Sequence, residues 1–424
     1  MTDAPLTWYH TTAPSIPDRS AMSGTLRTKV CVVGGGLTGV STALHLAERG
    51  IDCVLLESER IGHGASGRNG GQIVQGYSAD MSKVENTVGA EDARVLWSMM
   101  REAVDDIPER VKRHKIDCDL RWGYLHAAYS KRQMDGLRGT VETYTKYGYD
   151  GCEIIGKADL GKVLGSDAYV GGMLDPDSGQ IHPLAYLRGL AGAAEFLGAQ
   201  IFERSPAVEI TRGTTVSVRT VTGTVEADWL VLAGNAYLGK VFPSIRPRLM
   251  PVASFVAVTE PLDRDLLRAL FPQDVAVADC NLALDYFRTT SDGRLLFGAG
   301  ASYSAITPPG LANWMTRRMT KVFPELEGVG IDHVWGGLIG ITANRLPDFG
   351  RVADNILHAQ GFSGQGMALT GLAGKVMAET IDGNDSRFKL IEQIRHLPFP
   401  GGPFRTPALV AAMGFAKLRD AMGF

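Results

Sequence analysis

The sequence has few cysteines, and no two of them stand at the spacing of a metal site or a disulfide scaffold. Five occur in 424 residues: Cys31, Cys53, Cys118, Cys152 and Cys280. An odd, scattered set without a CxxC pair excludes a disulfide framework and a zinc site. We therefore expect reduced thiols and no bound metal.

An excess of one charge and long apolar runs are also lacking. Lysine and arginine total 43 against 46 acidic residues, a formal net charge of -3, which gives no electrostatic case for nucleic acid. No run reaches the roughly 18 apolar residues of a membrane span. The opening "MTDAPLTWYHTTAP" lacks the basic and apolar regions of a signal peptide. We expect a cytoplasmic protein that binds neither nucleic acid nor membrane.

Glycine, in contrast, is abundant, with 51 residues. Four of them fall within the nine residues of "GASGRNGGQ", at 64–72, a density that suggests backbone held close to a flat or phosphorylated ligand. Hydrophobic residues at 45% and charged residues at 21% are ordinary for a soluble enzyme. The length is enough for two large domains or for two to three smaller ones.

Residues 29–57 carry the pattern of a dinucleotide-binding unit. The apolar run 30–33 predicts a buried parallel strand, and Gly34, Gly36 and Gly39 follow it at GxGxxG spacing. A helical pattern, a second strand and Glu57 come next. The three glycines alone are weak evidence, but strand, glycines, helix, strand and acid in this register are strong evidence.

Each part of this unit has a physical role. The glycines allow a tight turn, a close approach to a pyrophosphate and close helix packing, while free N–H groups at the helix start, including those of Leu37 and Thr38, face the phosphates. Glu57 can accept hydrogen bonds from ribose hydroxyls. Both NAD and FAD fit this unit. The second glycine-rich stretch favours FAD, because a flavin ring also needs close backbone contact.

These stretches carry a family resemblance. "VVGGGLTGVSTALHLAERG" and "VLLESERIGHGASGRNGGQIVQGYS" resemble the D-amino-acid oxidase and glycine/sarcosine oxidase superfamily of FAD enzymes. "SGQIHPL", "LDYFR", "RLPDFGRV", "QGFSGQGM" and "HLPFPGG" are most similar to the subgroup of bacterial gamma-glutamylputrescine oxidoreductases. The resemblance covers nearly the whole chain.

The resemblance implies a cofactor, FAD, and a set of residues that hold it. The FAD is expected to be non-covalent, since glycines and Gln72 stand where covalently linked relatives place a histidine. The expected cofactor-binding residues are Gly34, Gly36, Leu37, Thr38, Gly39, Glu57, Ser66, Arg68, Asn69, Gly70, Gly71, Gln72, Val208, Gly234, Gly361, Phe362, Ser363, Gly364, Gln365, Gly366 and Met367.

The implied reaction is the oxidation of a primary or secondary amine by hydride transfer to flavin N5, giving an imine that hydrolyses to an aldehyde. The expected substrate is gamma-glutamylputrescine or a similar acylated polyamine, and the acceptor is oxygen or another carrier. One alternative is an oxidase or dehydrogenase of an N-substituted or simple amino acid. Another is a non-catalytic or RNA-modifying flavoprotein. The oligomeric state stays open.

The expected fold class is α/β. A Rossmann-type FAD-binding domain is formed by residues 25–84, 155–242 and 340–384. A substrate domain of residues 85–154 and 243–339 contains a large mixed, mainly antiparallel sheet capped by helices. Residues 385–424 form a C-terminal helical extension, which packs on its own domain or makes an oligomer contact.

Four residues are the candidates for catalysis: Gln72, Tyr286, Trp335 and Arg345. Aromatic rings can wall a flavin and accept an alkylammonium, although core packing is as good an explanation for any one of them. An arginine can bind a substrate carboxylate or a flavin oxygen.

Four further residues are weaker candidates. Trp122 is another possible wall, and Asp279 is either an ammonium receptor or a turn residue. His63 and His182 are expected to be structural, since neither has an acid nearby in sequence.

Oxygen reactivity raises a separate hypothesis. Sarcosine oxidases carry a lysine near the flavin, and Leu296 stands at the corresponding place here. A cation stabilises the anion that forms when oxygen takes the first electron. We therefore expect oxygen to react slowly unless Arg68, Arg345 or the substrate ammonium supplies the charge; Arg294 is a further candidate.

Overall fold

A computed structural model describes residues 7–238, 241–281, 283–302 and 308–399. The strands are β1 Gly24–Val33, β2 Cys53–Leu56, β3 Gln72–Ile73, β4 Arg121–Ala128, β5 Glu153–Gly156, β6 Gly171–Gln180, β7 Gln200–Phe202, β8 Glu209–Thr211, β9 Val216–Arg219, β10 Gly223–Leu232, β11 Met250–Thr259, β12 Ala276–Asp279, β13 Asp285–Thr289, β14 Leu295–Ser302, β15 Ile331–Ile341, β16 Asp348–Ala353 and β17 Ile356–Gln360. The helices are α1 Trp8–Thr12, α2 Leu37–Glu48, α3 Met81–Val88, α4 Ala90–Arg113, α5 Lys131–Lys146, α6 Lys157–Leu160, α7 Pro183–Phe196, α8 Arg264–Leu270, α9 Leu311–Val322, α10 Gly366–Ile381 and α11 Ser386–Glu392.

The first sheet has a parallel centre. Its order is β16-β17-β10-β1-β2-β7, with β9 added to β10 and β8 to β9. β1 pairs in parallel with β2 on one side and β10 on the other. The last four residues of β1 are all buried, as expected for a parallel strand covered on both faces.

Two helices start at the same edge of this sheet. α2 follows β1 and α10 follows β17, so their N-termini meet beyond the carboxyl ends of parallel strands. This is where ligands bind in open α/β sheets. The two helices are closely packed: a Cβ on Gly374 would lie 2.5 Å from the backbone of Ser41, whose hydroxyl donates to the Gly371 carbonyl at 3.1 Å.

The second sheet is mixed and mainly antiparallel, as predicted. Its order is β15-β11-β14-β13-β12-β4-β6-β3, and β5 pairs with β6. On one face, Phe287 and Phe297 stack at 5.6 Å, and they belong to the same core cluster as Met315 and Met319 of α9. Neighbouring residues on β13 and β14 point the opposite way, because strand side chains alternate. We call that opposite face the inner face.

The domain bounds stay a prediction, but sheet membership differs from them at two strands. β3 and β6 pair in the second sheet, although both lie in segments assigned to the FAD-binding domain. The alternation of apolar residues cannot tell which sheet a strand joins. Most of the C-terminal extension, from residue 400 onward, lies outside the described residues. Within the described part of the chain, no helix is long and apolar enough to cross a membrane.

Candidate active site

The glycine turn after β1 lies against Glu57. The Glu57 Oε2 atom accepts the Gly35 N–H at 2.5 Å, and Oε1 accepts the Glu59 N–H at 2.9 Å. A Cβ on Gly34 would lie 2.8 Å from the Ala233 backbone, and one on Gly39 would overlap the Gly34 carbonyl oxygen. The acid is therefore fixed beside a turn that only glycines allow.

Ser66 connects the second glycine-rich stretch to the first helix. Its Oγ atom accepts the Leu37 N–H at 2.9 Å, so a hydroxyl stands at the N-terminus of α2. A Cβ on Gly36 would lie 2.9 Å from the same oxygen. The Leu37 N–H is therefore not free for a phosphate, but the Ser66 hydroxyl and the helix dipole at this point suit a pyrophosphate.

The stretch at 64–72 is braced by its own side chains. Asn69 donates to the carbonyls of Ala65 and Ser66 at 3.1 and 3.0 Å and accepts the Gly71 N–H at 2.8 Å. Arg68 is buried and donates to the His63 carbonyl at 2.8 Å. The Arg68 guanidinium therefore holds the loop, and its contact with the cofactor stays a prediction.

Tyr286 lies between two glycines of different segments. A Cβ on Gly70 or on Gly298 would overlap the Tyr286 ring, and its hydroxyl lies 3.4 Å from Ser254 Oγ. Burial raises the pKa of the Tyr286 phenol to about 12, so the ring is neutral at physiological pH. Tyr286 keeps part of its surface accessible, as a pocket residue must.

Gln72 links this loop to the second sheet. Its Nε2 donates to the Val277 carbonyl at 2.9 Å, and its Oε1 accepts the Tyr124 hydroxyl at 3.0 Å. Both ends of the amide are used, so the structure gives Gln72 a bracing contact. Direct contact with substrate stays a prediction.

The last glycine-rich segment approaches from α10. Gly361, Ser363 and Gly364 have φ values of 76°, 55° and 100°, the left-handed backbone that favours glycine. Gly361 donates to Asn235 Oδ1 at 3.0 Å, which ties this segment to the end of β10 beside Gly234. Met367 and Phe362 are buried, with exposures of 6% each.

The residues present fit FAD. Glycines in three chain segments stand where a Cβ would collide with neighbouring protein atoms, as at Gly34, Gly71 and Gly361, so the backbone there is packed more closely than a side chain would allow. The Oε1 atom of Gln365, at the start of α10, is buried without a hydrogen-bond partner among the described residues. An orphaned polar atom of this kind is rare in a finished core and is accounted for when a polar ring edge occupies the crevice. The cofactor-binding roles of the individual residues stay predictions.

Trp335 is buried and contacts the loop at 64–72. The side chain is 1% exposed, and its Nε1 donates to the Arg68 carbonyl at 2.9 Å. The structure therefore gives Trp335 a supporting contact with this loop. Its direct contact with substrate stays a prediction.

Three other candidates have plain structural explanations. Asp279 accepts the Asn281 and Asp285 N–H groups at 2.9 and 3.1 Å, so it is the turn residue and not a free ammonium receptor. His182 Nδ1 accepts the Ala185 N–H at 3.1 Å and so caps α7, which confirms its structural role. The Val208 N–H donates to the Arg219 carbonyl at 2.8 Å, and its contact with the cofactor stays a prediction.

Two candidates have side chains that are partly or largely exposed to solvent. Arg345 has a φ of 66° and is half-buried, and within the described residues no acceptor binds its guanidinium. Such a left-handed conformation costs energy in a residue with a side chain. The other, Trp122, is 39% exposed at the start of β4.

A contact from the N-terminus was not predicted from the sequence. Tyr9 of α1 is fully buried, and its hydroxyl donates to the Asn69 carbonyl at 2.7 Å. The neighbouring Trp8 is 2% exposed and donates to Asp292 at 3.1 Å. An aromatic pair in "TWYHTT" was the available sign, because adjacent large aromatics are rarely left in water.

Two basic residues of the second sheet were also missed. Arg288 is fully buried and donates to the Gly70 carbonyl at 2.7 Å. His126 lies on β4, its ring 4.8 Å from that of Tyr124. Burial lowers the pKa of His126, and Asp175 partly opposes this.

A cavity of about 460 Å³ lies near Tyr124. The segment 76–82, α5 and Cys280 line it, and Cys280 lies close enough to Tyr124 to affect the pKa of its phenol. Among the described lining residues, Asp80 is the only one that carries a charge. The cavity therefore offers hydroxyls, amides and one carboxylate to a ligand.

Comparison with known proteins gives the family. The family model described as FAD dependent oxidoreductase, DAO, matches residues 29–380. Gamma-glutamylputrescine oxidoreductase of Escherichia coli (strain K12) is 42% identical over 425 residues, covering 100% of each chain. The probable oxidoreductase OrdL of Haemophilus influenzae is 41% identical over 88% of this chain and 87% of its own.

Among solved structures, glycine oxidase from Geobacillus kaustophilus has a TM-score of 0.71 and 21% identity, covering 84% of this chain and 95% of its own. That likeness concerns the fold alone. The glycine turn, the acid beside it and the full-length similarity all agree, and the chain belongs to the family of FAD dependent oxidoreductases.

Proposed function

We propose that this FAD-dependent amine oxidoreductase acts on an acylated polyamine, with gamma-glutamylputrescine as the leading candidate. The observation that carries the proposal is the cavity of about 460 Å³ lined by the segment 76–82, α5 and Cys280, which has room for a chain beyond the reacting carbon. The name of the Escherichia coli relative, 42% identical along the whole chain, supports the choice of substrate.

The charge of the cavity lining favours a substrate tail that does not need a basic residue as its partner. The lining residues described carry one acid, Asp80, and hydroxyls from α5 such as Thr140 and Thr143. An ammonium group or an amide finds partners there. A carboxylate finds none among these residues and would have to stay in solvent, because burying an unpaired charge is costly.

Bound FAD supplies the hydride acceptor, and the residues of this chain hold the amine. Tyr286 offers a neutral aromatic wall over Gly70, and the buried Tyr124 hydroxyl holds Gln72 in place beside it. The amine must lose its ammonium proton before it can be oxidised.

A second candidate substrate is an N-substituted amino acid. The observation in its favour is Arg345, whose guanidinium has no acceptor within the described residues and can form a bidentate pair with a carboxylate. This function requires the carboxylate next to the reacting carbon, whereas the first requires only the amine there.

The decisive experiment is anaerobic bleaching of the bound flavin by a panel of amines. Gamma-glutamylputrescine and N-acetylputrescine should bleach the flavin, while sarcosine and N-methylalanine should not. The reverse pattern, abolished by Arg345→Met, would replace the first proposal by the second. No bleaching by any amine would favour a non-catalytic flavoprotein.

The remaining expectations have simple assays. Acid precipitation should release the yellow colour into the supernatant, since we propose that the FAD is non-covalent. Peroxide formation distinguishes oxygen from a quinone as the acceptor. Fast reoxidation of ligand-free enzyme that survives both Arg68→Met and Arg345→Met would count against a role for either cation.

A further inference from the structure

Arg288 is a charged residue that the proposed chemistry leaves unused. It lies on β13, two residues after Tyr286, and its side chain is 0% exposed. Nε donates to the Gly70 carbonyl at 2.7 Å, and the terminal nitrogens donate to the Thr289 and Ile181 carbonyls at 3.2 and 3.3 Å. The guanidinium also lies 3.1 Å from where a Cβ on Gly71 would be.

None of its acceptors carries a charge. The fourth contact is the Tyr9 hydroxyl at 3.3 Å, and no carboxylate forms an ion pair with Arg288 within the described residues. The two acids on nearby turns have other partners: Asp274 pairs with Arg121 at 2.5 Å, and Asp292 with Arg294 at 2.8 Å. A buried cation without a counter-ion is expensive, even when its hydrogen bonds are satisfied.

The titratable neighbours of this cation are neutral. Burial, together with the Arg288 charge, lowers the pKa of His182 to about 4. Burial raises the pKa of Tyr9, although Arg288 opposes this, and Tyr286 is a neutral phenol. Arg288 is therefore a permanent positive charge behind the peptide of Gly70. Its cross-strand partner on β14 is Leu296, the position at which the sequence lacked a cation.

We propose that Arg288 is the fixed charge that stabilises negative charge on the flavin ring bound against Gly70 and Gly71. The Arg288 hydrogen bond to the Gly70 carbonyl also orients that peptide, so Arg288 is a positioning residue that acts through the loop as well as through its field. Charge interactions of this kind are strong in a site closed to water. The inference rests on FAD binding at this loop, but not on the identity of the substrate.

The experiment measures the flavin without any amine. Sulfite forms a bond from its sulfur lone pair to flavin N5, which leaves a negative charge on the ring and releases no group. We compare the sulfite dissociation constant and the flavin reduction potential in the wild type, Arg288→Met, Arg288→Lys and Tyr9→Phe. The last variant removes a hydrogen bond from the same cluster and leaves the charge in place.

In Arg288→Met, sulfite should bind at least tenfold more weakly. The potential should fall by about 30 mV, the equivalent of tenfold for a two-electron couple. Arg288→Lys and Tyr9→Phe should stay within threefold of the wild type. An unchanged sulfite constant in Met holoenzyme would overturn the proposal. If Arg288→Met cannot hold FAD, Arg288→Lys decides, because a tenfold loss of sulfite affinity with the charge retained would overturn it as well.

Discussion

At the scale of single residues, the glycine-rich loops depend on the absence of a side chain at particular positions. A methyl group on Gly39 would meet the Gly34 carbonyl, and one on Gly70 would meet the Tyr286 ring. The Gly34 backbone cannot move aside as a side chain can, so Gly39 is intolerant of even the smallest substitution.

Gly39→Ala should therefore destabilise the fold by about 1–3 kcal/mol, the usual cost of overpacking, and weaken FAD binding. Gly192→Ala is the matched control, because Gly192 is also helical but a Cβ there would meet nothing within 4 Å. That control should be neutral or stabilising by about 0.5–1 kcal/mol. Urea unfolding and FAD titration of the apoprotein give both quantities, and equal stability of the two variants would contradict the collision.

Tyr286→Ala tests the proposed pocket wall. Removal of the ring should raise the apparent substrate dissociation constant far more than that of FAD, because backbone and phosphate contacts hold the cofactor elsewhere. Single-turnover bleaching at varied amine concentration measures the first quantity, and flavin fluorescence the second. Loss of FAD with unchanged substrate affinity in the remaining holoenzyme would show that Tyr286 is a core residue.

The same scale shows which site residues sequence patterns can reveal. Gly34, Gly36, Gly39 and Glu57 were predictable because a strand, a turn and a helix keep them in local register. Arg288 and the Gly70 carbonyl are separated by 218 positions, and Tyr9 and Asn69 by 60. No periodicity links positions so far apart, so these contacts needed the structure.

At the scale of elements, the shortest helix next to the site is the one that braces it. α1 has five residues, too few to be stable alone. It is held by tertiary contacts: Tyr9 meets the rings of Trp335 and His182 at 5.4 and 4.9 Å. α1 therefore contributes through the packing of its aromatic side chains and not through helical stability of its own.

Tyr9→Phe should cost about 1–3 kcal/mol of stability, because the buried Asn69 carbonyl loses its donor. Thr11→Val is the control, since it removes a hydroxyl of the same helix that donates to the Trp8 carbonyl at the surface. Thermal unfolding of the holoenzyme measures both variants. Equal melting temperatures would mean that α1 does not support the flavin loop.

The cap of α7 gives a dependence on pH. His182 has its folded pKa lowered to about 4, mainly by burial, whereas an unfolded histidine titrates near pH 6.5. Between pH 6.5 and 4, His182 is therefore protonated in the unfolded chain and neutral in the folded chain. Stability from this group is complete above pH 6.5 and falls by at most about 1.4 kcal/mol per pH unit below it.

His182→Asn should keep the cap, since asparagine is a good N-cap residue, and remove the titration. Its unfolding free energy at pH 7.5 should lie within about 1 kcal/mol of the wild type, and its decline between pH 6.5 and 4 should be shallower. His10, whose pKa is also lowered to about 4, keeps part of the slope. An acid slope identical to that of the wild type would exclude the role of His182.

At the scale of the whole molecule, the predicted fold class is confirmed. Parallel and antiparallel character were readable because buried parallel strands form continuous apolar runs, as at 30–33. Sheet membership was not readable, since β3 has two residues and pairs with a strand more than 100 positions away. The tail beyond residue 399 lies outside the described residues, so its helix stays a prediction.

Bound FAD should stabilise this fold. We expect three chain segments to contribute to its site, so the apoprotein should unfold at a lower urea concentration than the holoenzyme. Added FAD at 100 times its dissociation constant should restore about 2.7 kcal/mol. Riboflavin, which lacks the pyrophosphate and adenosine, should restore much less at equal concentration. An equal effect of riboflavin would mean that Glu57 and the start of α2 contribute nothing.

The contact between Ser41 and Gly371 joins residues 330 positions apart, and this distance has a consequence for biosynthesis. At roughly 5–20 residues per second, the ribosome needs roughly 16 to 66 seconds to supply α10 after α2. During that interval the side of α2 that packs on α10 is uncovered, and the crevice for the flavin lacks one of its two helix ends. We therefore expect stable cofactor insertion to follow synthesis of α10.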